Sequence, residues 1–73
     1  MPPIILARSG KYIKLATHTH GEAWINLDHV VLIYDDKLAS IYTIAVATTS
    51  GVVHCVKPEG KTADDLMAEI NAA

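Results

Sequence analysis

The sequence predicts an α+β fold that is mainly β: an antiparallel meander of four to five strands, partly rolled, with one C-terminal helix. Three observations carry this. Apolar and polar residues alternate from Lys11 to His18 and again from Ile41 to Thr49, the period of a strand with one face on a core. Gly21 and Ser50-Gly51 interrupt such runs, and glycine readily takes the positive φ that a tight hairpin needs. Beyond Pro58 and Gly60, apolar residues recur at helical spacing.

Taken in order, Pro2 and Pro3 exclude an early helix, and Ile4 to Ala7 reads as a short edge strand ahead of a Ser9-Gly10 turn. In the next strand Ile13, Leu15 and Thr17 face one way, and Tyr12, Lys14 and His18 the other. After the Gly21 turn, Ala23, Ile25 and Leu27 oppose Trp24 and Asn26. Asn26-Leu27-Asp28 forms a corner, since Asn and Asp side chains bond nearby backbone groups. Val30 to Tyr34, continuously apolar, reads as a central strand, and Asp35-Asp36-Lys37 as a polar loop tip. Ile41 to Thr49 and Val52 to Val56 pair through Ser50-Gly51.

Thr62 then caps a helix with Asp64 and Asp65 at the positive end of its dipole. Leu66, Met67 and Ile70 form its packed face, and Asp64, Asp65 and Glu69 mostly face water. A single domain spans residues 1–73: an N-terminal extension or edge strand over 1–10, the sheet over 11–57, and the helix over 62–72.

Composition sharpens the expectation. A chain of this size buries only about 60% of the surface exposed when unfolded. Its apolar fraction is 51%, with no Phe and one Trp, so branched aliphatics fill the core and a surplus is left for the surface. Self-association through an edge strand or the Trp24 face is the simplest way to bury that surplus, and a homo-oligomer, a dimer first, is expected. The formal net charge is −2, and the six basic residues stand singly, without the stripe that binding to phosphates requires; nucleic acid is not an expected partner. Cys55 is the only cysteine, no leader precedes the first apolar residues, and no run approaches a membrane span; a cytoplasmic protein without membrane attachment is expected.

No residue set resembles an active site or implies a cofactor. His18 and His20, two apart on an extended strand, share a face and are the only pair that suggests a metal, with His54 or Cys55 as a third ligand; without a visible second pair they read as exposed turn residues. His54 and Cys55 are strand neighbours and point apart, so Cys55 reads as a structural thiol rather than a nucleophile. The acids at 28, 35 and 36 have no cleft to shift their ionisation and read as turn and loop residues. Trp24 and Tyr12 fall on the face away from Ile25 and Leu27, where such residues anchor protein interfaces; the equal alternative is that Trp24 covers the helix or closes one end of a barrel.

Ile13-Lys14-Leu15, the Gly21 turn, Trp24-Ile25-Asn26 running into Leu27-Asp28-His29-Val30-Val31, Ile44 to Val46, Ser50-Gly51 and the helix from Thr62 together resemble the small FlbD-like proteins of bacterial flagellar operons and similar short proteins of bacterial and phage genomes. The resemblance covers most of residues 11–73, and its most particular element is the apolar-Ile-Asn-x-Asp corner. It implies a sheet-plus-helix accessory protein with no catalytic residues to assign. The leading expectation is therefore a non-catalytic protein-interaction module, an oligomeric accessory or regulatory factor with a protein partner. The alternatives are a metal-binding protein using His18 and His20 and a nucleic-acid-binding regulator.

Overall fold

The computed structural model describes residues 2–72. Six strands, β1 (Ala7–Ser9), β2 (Tyr12–Thr17), β3 (Gly21–Asn26), β4 (Val30–Leu38), β5 (Ile41–Thr48) and β6 (Gly51–Cys55), precede one helix, α1 (Ala63–Asn71). Every pairing is antiparallel. The class is the one expected, with one or two strands more than the pattern counted.

The order across the sheet is β1-β2-β6-β5-β4, with β3 on the other side of β2. Two three-stranded halves result. In the first, β2 carries β1 and β3; in the second, β5 carries β4 and β6. They meet where Thr17 faces Cys55, through backbone bonds from His18 N–H to the His54 carbonyl (3.0 Å) and from Val56 N–H to the Ala16 carbonyl (2.8 Å).

Between β3 and β4 lies one 3₁₀ turn, Leu27–His29, begun by Asn26, whose side chain accepts from the Asp28 amide (3.0 Å). That short link forces the sheet to curl. Four inter-strand steps of about 4.8 Å would put β3 and β4 roughly 19 Å apart in a flat sheet. The chain from Asn26 to Val30 reaches at most about 14 Å. The sheet therefore rolls until these two strands approach, yet it stays open, because β3 pairs with β2 and β4 with β5 and neither with the other.

Ile4, Ile13, Leu15, Ile25, Ile44, Val46, Cys55, Ala63 and Leu66 form the core inside the curl. β2 buries Ile13, Leu15 and Thr17, the face its alternation predicted. On β5 four consecutive residues, Thr43 to Val46, are buried: Ile44 and Val46 in the core cluster, and the smaller Thr43 and Ala45 on the opposite face.

Several expectations are corrected. The first strand is Ala7–Ser9, not Ile4 to Ala7; Ile4 is instead a core residue, 2% exposed, so the stretch before β1 is not merely an appended edge. Val30 to Tyr34 begins an edge strand rather than a central one. A bulge between Val30 and Leu32 turns Val31 and Leu32 outward, while Val30 and Ile33 pack on the core. Asp35-Asp36-Lys37 is no loop tip: it continues β4 opposite Ile44, Thr43 and Tyr42, and the turn falls at Ala39-Ser40, where Ala39 has φ 57°.

The helix starts as its sequence requires. The Asp65 carboxylate accepts from the Thr62 N–H (2.8 Å), and Asp35 of β4 accepts from the Ala63 N–H (2.8 Å), each satisfying an amide that has no partner within the helix. Leu66 is fully buried, but Met67 is largely exposed. Glu69 is half-buried rather than free in water: its carboxylate accepts from the amides of Ile4 and Ile5 (2.9 Å each).

Candidate functional site

The histidines are dispersed. β2 ends at Thr17, so His18 and His20 lie in a turn and not on one extended face. The turn is set by the Thr17 hydroxyl, which donates to the Gly21 carbonyl (2.7 Å) and accepts from the His20 amide (2.9 Å). His20 Nδ1 pairs with the Thr19 hydroxyl (2.8 Å). His54 lies in β6, its Nδ1 3.3 Å from the Thr43 hydroxyl and 3.9 Å from the Asp36 carboxylate. The contact with Thr43 gives a buried hydroxyl its partner. His18 Nε2 is buried and has no hydrogen-bond partner among the described residues. Among those residues no group of three or more His, Cys, Asp or Glu side chains is arranged to hold a metal ion.

Cys55 is fully buried, and burial pushes its thiol up to about 11, with the charge of Glu69 acting in the same direction. A thiol held protonated is a poor nucleophile, which fits a packing role. The acids are engaged in structure: Asp28 with Lys11 (2.9 Å), Asp35 with the start of α1, and Asp36 beside His54. Lys14 meets Glu22 (3.2 Å), and Arg8 donates to the Ile70 carbonyl.

The exposed apolar surface is more concentrated. One groove, about 320 Å³, is lined by Leu27, Val30, Val31, Leu32, Ile33, Met67 and Ile70. Its walls are the first half of β4, the 3₁₀ turn and the outer side of α1. Every lining residue is apolar, with Val31 69% and Leu32 56% exposed. Beside it runs the edge of β4 that faces away from β5, where backbone groups have no strand partner. An apolar run at an edge, read as a buried strand from its composition, makes this groove; nothing in the periodicity distinguishes the two.

A second hollow, about 270 Å³, contains Tyr12 and Trp24 with Asn26, His29, Ser50 and Val53 in its lining. Tyr12 faces Asn26 and Trp24 faces Lys14 across the β2–β3 pair, so both aromatic rings lie on one face, each about half exposed. The Lys14 ammonium stands 5.9 Å from the centre of the Trp24 ring. His29 is held by the Thr49 hydroxyl at Nδ1 (3.2 Å).

Among the described residues no helix is long and apolar enough to cross a membrane. Compared with protein-family models, with curated proteins and with solved structures, this chain finds no match in any of the three.

Proposed function

We propose that this chain is a non-catalytic protein-interaction module whose first partner is a second copy of itself, an oligomeric accessory or regulatory factor acting in the cytoplasm. The observation that carries this reading is the wholly apolar groove beside the free edge of β4. Removing Val31, Leu32 and Met67 from water supplies the driving force, and the backbone groups of the edge supply direction. A strand edge is self-complementary in the antiparallel sense: a two-fold axis through it lets each copy satisfy the other's unpaired groups.

Light scattering behind size exclusion, over a range of concentrations, tests the reading. Twice the chain mass at high concentration, reduced to the monomer mass by Leu32→Lys, is the expected result. A monomer at every concentration removes the second copy as partner. A dimer broken by Trp24→Ala and untouched by Leu32→Lys moves the interface to the face bearing Tyr12 and Trp24.

A further inference from the structure

The way α1 is fastened suggests a movable part. Its first turn is held from β4 by Asp35, and its last turns are held by the segment before β1. Both oxygens of Glu69 are occupied by the amides of Ile4 and Ile5. Arg8 donates to the Ile70 carbonyl at the negative end of the helix dipole. In the other direction, the Leu6 N–H donates to the Lys14 carbonyl (2.9 Å), after which the three exposed residues of β1 lie along β2. The side chain of Ile4 enters the core cluster that also holds Cys55, Ala63 and Leu66.

We propose that residues 4–6 and α1 form a single lid over the open side of the curled sheet, joined into one piece by Glu69, and that this lid opens as a unit while β4, β5 and β6 stay paired. Charged hydrogen bonds to backbone groups are strong when the lid is shut; the two made by Glu69 lie between the parts of the lid, whereas Asp35 at the Ala63 amide and Arg8 at the Ile70 carbonyl join the lid to the sheet. The lid's hold on the sheet is the three bonds at Asp35, Arg8 and Lys14 and the side chains of Ile4, Ile5, Ala63, Leu66 and Ile70. That is the profile of a segment that opens at lower free energy than the whole domain. Opening uncovers Cys55 and shifts Met67 and Ile70, one wall of the apolar groove. The lid does not depend on what the groove binds.

Cys55 reports the motion, because it is fully buried when the lid is shut. The native protein is labelled with iodoacetamide at constant pH over a series of low urea concentrations, with mass spectrometry as the readout. The expected result is a labelling rate that depends only weakly on urea and rises about tenfold in Asp35→Asn, the factor for one charge-assisted hydrogen bond between sheet and lid. Ile25→Ala, in a strand outside the lid, should weaken the whole fold and leave that rate unchanged. A rate that follows urea as steeply as global unfolding does, or that rises in Ile25→Ala in proportion to its lost stability, overturns the proposal. Hydrogen exchange on the unaltered protein decides independently of any variant. The amides of Ile4, Ile5 and the body of α1 should share one protection level, below that of Ile44 to Val46; protection of α1 equal to that of β5 also overturns it.

Discussion

The two halves of the sheet solve burial differently. In the first, β2 and β3 match residue for residue over six pairs, and β2 puts every second residue into the core. Inside and outside are separated by the pleat alone. In the second half, β5 lies between β4 and β6 and is buried through four successive residues, so neither face reaches water there. Its outward-facing Thr43 needs a polar partner and finds it in His54. On β2 the face away from the core stays partly open at Lys14 and Ala16, whereas on β5 the small Thr43 and Ala45 of that face are buried.

The comparison is broken most severely at its centre. Ile44→Ala, at a fully buried site on β5, should cost about 2–5 kcal/mol, a large share of the stability of so short a chain, and urea denaturation with circular dichroism reads it. A cost no greater than that of an exposed substitution would refute the assigned burial of β5.

Next comes the corner where the halves meet. Thr17→Val keeps the shape and removes a hydroxyl that both donates and accepts, and should cost about 1–3 kcal/mol in the same assay. A neutral result would show that the turn holds without it.

Cys55, at the same junction, gives a pH test. Its folded thiol titrates near 11 against an ordinary value of 9.0, so the unfolded chain loses that proton first as pH rises. Stability from this group is complete below about pH 9 and declines toward pH 11. Urea midpoints for Cys55→Ala should show less decline over that window than those for the parent; identical slopes would contradict the burial of the thiol.

The smallest change is a gain. Ala39 takes a positive φ at the first position of the two-residue β4–β5 turn, where glycine has no steric penalty. Ala39→Gly should raise stability by up to about 1 kcal/mol, seen as a higher urea midpoint; a lower midpoint would mean that the turn tolerates alanine without strain.

These contrasts also explain what could be read in the sequence. Alternation placed Ile13, Leu15 and Thr17 correctly, Gly21 and Gly51 marked real turns, and Thr62 with Asp65 marked a real helix start, because each signal is set within a few residues. Val31 and Leu32 were misread because an apolar run reports affinity for burial, not whether the fold supplies a cover. Asp35 and Glu69 look like solvent-facing acids in their own segments; their partners are Ala63 in one case and Ile4 and Ile5 in the other. Tyr12 and Trp24 were placed on a common face by hairpin register, a local rule, whereas the hollow beside them also needs Ser50 and Val53 from the other half.

The bond between Ile4 and Glu69 spans 65 positions of sequence, and this bears on how the chain reaches its fold. Hairpins such as β2–β3 can form as soon as their own residues exist, since their contacts are local. Ile4 cannot be sealed until Glu69 has been made. During synthesis the first segment must therefore wait, apolar and unlatched, while the sheet assembles behind it. An apolar segment left uncovered in that interval is open to misassembly.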